Sequence, residues 1–93
     1  MERRIGRFVW DADREIANIA KHGVDFTSAS KVFLDPKRKT IIDSKHSIVE
    51  LRRYCIGEVE GKIITVRFIY RKKQVRIFGA GYWRKGKMYY EEE

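Results

Sequence analysis

Between Lys62 and Lys87 the chain has no acidic residue, although nine basic ones fall there: Lys62, Arg67, Arg71, Lys72, Lys73, Arg76, Arg84, Lys85 and Lys87. A field of one sign over adjacent segments gathers anions better than the same charge scattered. Cysteine is almost missing as well. Cys55 alone cannot close an intramolecular disulfide, and no CxxC pair or Cys/His cluster has the spacing of a zinc site. Its setting, Tyr54-Cys55-Ile56, is that of a small core residue in a reducing compartment. The chain also lacks a phosphate-cradling glycine loop and a Ser/His/Asp arrangement. Clustered carboxylates for a catalytic metal are missing too, because Asp11, Asp13 and Glu15 stand where a helix start explains them. No cofactor is implied. No apolar run reaches the length of a membrane span, and Met-Glu-Arg-Arg-Ile-Gly-Arg lacks the apolar stretch of a signal peptide. A cytoplasmic protein is expected.

What is present fits one globular domain over residues 1–93. Hydrophobic residues make up 43% and aromatics 13%, enough for one modest core. The formal charge of +8, with a pI near 9.8, points to a polyanionic partner. That excess sits in the second half, since residues 1–35 balance their acids and bases.

The first third is densely punctuated. Phe8-Val9-Trp10 reads as a short strand, with Trp10 as a core anchor. Asp11 is a good N-cap, and the spacing predicts a helix to about His22 with Ala12, Ile16, Ile19 and Ala20 on its apolar face. Gly23 ends it. Asp25 or Thr27 can cap a second helix whose apolar face carries Phe26, Ala29, Val32 and Phe33, and Asp35-Pro36 stops it. Lys39 to Asp43 reads as a strand and Ser44 to Arg52 as a polar connection. Arg53–Glu58, Lys62–Arg71 and Gln74–Gly81 follow as a three-stranded meander, turned at Glu60-Gly61 and Lys72-Lys73. Tyr82 to Glu93 reads as helical. The fold class is therefore α+β: an N-terminal strand and two helices packed on an antiparallel meander, with a short C-terminal helix.

A two-residue turn at Lys72-Lys73 pairs Arg71 with Gln74, Ile69 with Arg76 and Arg67 with Phe78. Ile64, Val66, Phe68 and Tyr70 then share the core face with Val75, Ile77 and Gly79. Arg67, Arg71 and Arg76 share the other face with Thr65, Ile69, Gln74 and Phe78. Guanidinium groups fork onto phosphate oxygens and rings accept stacked bases, so this face suits single-stranded RNA. His46 and Glu50, in the polar connection, are the candidate acid–base pair. Cleavage without a metal needs a base for the 2′-hydroxyl, an acid for the leaving 5′-oxygen, and cations for the phosphorane. The catalytic candidates are thus His46, Glu50, Arg67 and Arg76. Lys21, His22, Arg53, Lys72, Lys73, Tyr82 and Arg84 are candidates for RNA binding, and Trp83 for base stacking or partner docking.

Five segments together resemble one family. F-V-W-D (8–11), N-x-x-K-H-G-V-x-F (18–26), A-x-x-V-F-x-D-P (29–36), K-H-S-x-x-E-x-R-x-x-x-I-G (45–57) and V-R-I (75–77) are similar to the BrnT toxins of type II toxin–antitoxin systems. The resemblance implies a RelE-like fold and an endoribonuclease that arrests growth. It also implies a neighbouring BrnA antitoxin, which binds operator DNA through a ribbon-helix-helix region and represses the operon together with the toxin. Arg67 and Arg76 come first in that pattern, with His46, Glu50 and Arg53 in support. Where the family often has S-A-R after the last strand, this chain has Gly79-Ala80-Gly81; Tyr82 or Arg84 is the expected substitute. The alternative from another class is a non-catalytic module that uses the basic face for RNA or for docking a protein.

Overall fold

Residues 1–92 are described by a computed structural model. Within them six strands form one sheet: β1 (Glu2–Ile5), β2 (Phe8–Asp11), β3 (Lys39–Ile42), β4 (Arg52–Val59), β5 (Lys62–Arg71) and β6 (Gln74–Gly81). Their order is β1-β2-β6-β5-β4-β3, and every pair is antiparallel except β2 with β6. The sheet is therefore mixed: the meander is extended by the parallel strand β2 and by β1, a strand the sequence did not suggest. The helices are α1 (Ala12–His22), α2 (Phe26–Ser30), which continues as a 3-10 turn Lys31–Leu34, and α3 (Arg84–Glu91). The helix expected over Tyr82 to Glu93 runs from Arg84 to Glu91, and the last residue of that expectation lies outside the described residues. Among the described residues no helix is long and apolar enough to cross a membrane.

The ends of α1 follow from its caps. The Asp11 carboxylate accepts from the Arg14 N–H at 3.0 Å, and Gly23 takes the left-handed conformation at φ 72°. Its expected apolar face is turned the wrong way. Ile16 is 65% exposed and Ile19 45% exposed, while Asn18 is buried. The reason is hydrogen bonding. Asn18 donates to the carbonyls of Val24 and Ala80, both at 2.9 Å, and accepts from the Ala80 N–H at 3.2 Å. Glu15 accepts from Trp10 Nε1–H at 3.0 Å and from the Phe26 N–H at 2.8 Å. Buried polar backbone demands partners, and α1 supplies them with its polar side chains.

The second helix behaves as its pattern says. Phe26, Ala29 and Val32 are buried with Trp10, Val66, Phe68, Val75 and Ile77 between the helices and the sheet. On β5 and β6 the turn at Lys72 (φ 52°) and Lys73 (φ 65°) sets Arg71 opposite Gln74 and Ile69 opposite Arg76, as expected. A bulge then intervenes. Arg67 faces Gly79, not Phe78, and Phe68 faces Ile77, which leaves Phe78 as the extra residue. The side-chain parity of β6 changes there, so Ala80 takes the core-face place expected for Gly79.

The opposite face of the sheet is covered only at one end. There α3 lies against β5, close enough that a Cβ on Gly86 would overlap the Thr65 hydroxyl. Tyr90 fastens the helix by donating to Asp35 at 2.5 Å, and Lys39 Nζ donates to the Tyr89 carbonyl at 2.8 Å.

Candidate active site

The uncovered part of that face forms a groove of about 570 Å³, walled by His46, Glu50, Arg52, Arg76 and Phe78, with Asp11 and Arg14 at its α1 end. Three of the four expected catalytic residues therefore meet in one place. The fourth, Arg67, stands at its edge.

His46 ends a 3-10 turn, Ser44–His46, that Asp43 caps. Asp43 is 7% exposed and lies 2.9 Å from His46 Nδ1. Ser47 Oγ–H donates to the Asp43 carbonyl at 2.6 Å and Oγ accepts from the Arg52 N–H at 2.9 Å, tying the loop to β4. Burial pushes the Asp43 carboxyl up, but hydrogen bonds from His46 and Tyr54 outweigh it and leave it below the ordinary value. An ionised carboxylate at Nδ1 fixes the proton on that nitrogen. Nε2 is left as the acceptor available to a ligand.

Glu50 is engaged differently. It forms a two-pronged ion pair with Arg71, at 2.5 and 3.3 Å, and the hydrogen bond from Arg71 holds its carboxyl below the usual range. Such a carboxylate is a weak proton acceptor and a good anchor for a cation. Arg76 pairs with Glu2 at 2.5 Å, and its buried Nε has no partner among the described residues. The Phe78 ring lies between two guanidiniums, with Arg52 Cζ 4.9 Å and Arg67 Cζ 5.0 Å from its centroid. Cation–π contact thus holds two arginines upright at the groove.

The remaining candidates lie elsewhere. Arg53 points to the helix-covered side, over the Tyr70 ring at 4.8 Å. Lys72 and Lys73 form the far turn, and Lys21 is exposed at the end of α1. His22 packs edge-on against Trp83 at 5.1 Å, Tyr82 lies beside Lys62 Nζ at 5.5 Å, and Arg84 opens α3. None of these lines the groove. Sequence reasoning missed Asp43 and Arg52, and put Phe78 on the arginine-bearing face without naming it a site residue. Arg52 was in plain sight as the arginine of K-H-S-x-x-E-x-R, and Asp43 stands three residues before His46, at capping distance. The bulge that aims Phe78 has no signal in the chain. At Gly81, where the resemblance suggests an arginine, the Trp83 indole covers the glycine; a Cβ there would come within 2.8 Å of its Cε2.

Among the described residues no three His, Cys, Asp or Glu side chains gather as a metal ion would require. A search of curated proteins gives no match. The family model described as ribonuclease toxin, BrnT, of type II toxin-antitoxin systems matches residues 10–86, which include the end of β2, α1, α2, β3 to β6 and the start of α3, and leave out β1. Toxins of this class act on RNA and are held by an antitoxin protein. With the match spanning most of its length, the chain belongs to the BrnT ribonuclease toxins.

Proposed function

We propose that residues 1–93 act as one toxin domain, a metal-independent endoribonuclease of the cytoplasm. The observation that carries this reading is the meeting of His46, oriented by the buried Asp43, with Arg52 and Arg76 in one groove. His46 Nε2 takes the proton of a 2′-hydroxyl as that oxygen attacks the adjacent phosphorus. A P–O2′ bond forms, the P–O5′ bond breaks, and the departing 5′-oxygen takes a proton from water. The products are a 2′,3′-cyclic phosphate and a 5′-hydroxyl. Arg52, Arg76 and Arg67 face the charge that builds on the phosphorane. Glu50 stays ionised and holds Arg71 in place. The partner is a BrnA-type antitoxin, which joins the toxin to operator DNA in repressing their operon.

The test is incubation of the purified chain with labelled, unstructured RNA in EDTA, beside His46→Ala and Arg67→Ala/Arg76→Ala variants. Discrete fragments ending in cyclic phosphate, absent with both variants, are expected. RNA that is bound but left intact would favour the non-catalytic module.

A further inference from the structure

A second groove, about 580 Å³, lies on the same face between α3 and the Ile41–His46 segment. Its character is different. Tyr54, Trp83 and Tyr89 supply aromatic walls, Ile41 and Ile56 supply aliphatic ones, and Lys45 and Lys85 stand among the lining residues. Thr65 contributes a hydroxyl that is buried without a hydrogen-bond partner. Among the described residues, His46 alone lines both grooves. Arginine and carboxylate dominate the first; rings and lysine dominate the second.

We infer that this second groove is a nucleobase subsite, which takes the base of a nucleotide next to the phosphate held in the first. The occupant follows from three features. Flat aromatic walls suit a π-face, and stacking on them is the usual way a protein grips an unpaired base. Lysines suit the phosphate that must accompany that base. Continuity through His46 places the groove one step along the chain from the reacting phosphate. The reaction assigned to this substrate rests on the ribonuclease reading; the binding of a base does not.

Trp83 makes the test direct, because the only other tryptophan, Trp10, is buried in the core. A short single-stranded oligonucleotide with 2′-O-methyl sugars, which cannot be cleaved by 2′-hydroxyl attack, is titrated while tryptophan fluorescence is read. Quenching is expected, is lost in Trp83→Phe, and weakens about tenfold in affinity with Tyr89→Ala. An otherwise identical oligonucleotide carrying one abasic position at the bound step should quench much less. Binding without quenching, or equal binding of the abasic oligonucleotide at every position, overturns the subsite, as does failure to bind. Quenching with unmodified RNA that then stays whole leaves the subsite standing and removes the ribonuclease reading instead.

Discussion

The two faces of the sheet are made from the same strands and use charge in opposite ways. On the helix-covered face, buried polar side chains serve the fold: Asn18 binds backbone groups of Val24 and Ala80, and Glu15 binds the Trp10 indole N–H and the Phe26 N–H. On the other face, arginines are many and are held by groups a ligand can compete with or share: Phe78, Glu50 and Glu2. Hydrogen bonds to buried backbone fix a structure. Ion pairs at a surface, worth little in water, keep cations in place until a phosphate arrives.

That contrast can be broken from either side, and the largest effect is expected at His46. His46→Ala should lower RNA cleavage by about 10²–10⁴-fold, measured by gel at fixed protein concentration, with an unchanged unfolding midpoint. Asn18→Ala should do the reverse. It strips partners from buried backbone groups of Val24 and Ala80, and should cost about 2–4 kcal/mol in urea unfolding. Next comes Phe78→Ala, which frees two guanidiniums; a loss of about 0.5–2 kcal/mol in RNA binding, with the salt dependence unchanged, is expected by fluorescence anisotropy.

Smaller effects sharpen the picture. Glu2→Gln releases Arg76 and removes a negative charge from the groove, so RNA affinity should rise a fewfold at low salt. The hydrogen bond to Asp35 pushes the Tyr90 phenol up from 10.0 to about 12. Its proton is thus held more tightly folded than unfolded, so this stabilisation is whole below pH 10 and is lost as pH climbs toward about 12. Tyr90→Phe should flatten that alkaline limb of a thermal-melt series.

Much of the fold was legible because its signals are local. The Asp11 cap, Gly23 and the Lys72-Lys73 turn each act within a few residues, and they placed α1, the hairpin and the pairing of Ile69 with Arg76. The orientation of α1 was not legible. Periodicity sees Ile16 and Ile19 as a core face, whereas the decision belongs to backbone groups of Val24 and Ala80 that only the assembled fold brings to Asn18. The site divides in the same way. His46, Glu50 and Arg76, expected from residue type and context, line one groove; Arg53 was preferred to Arg52 although strand alternation sends the two to opposite faces. Lys72, Lys73 and Lys21 were drawn in by charge alone, which says nothing about where a side chain ends up.

The bulge in β6 gives Phe78 an unusual standing. Arg67 already pairs with Gly79 and Phe68 with Ile77, so a chain one residue shorter here would close into an uninterrupted ladder. The hairpin has no use for this position, and the arginines beside it do. It is a residue the ladder could do without, and its ring is the surface on which Arg52 and Arg67 rest.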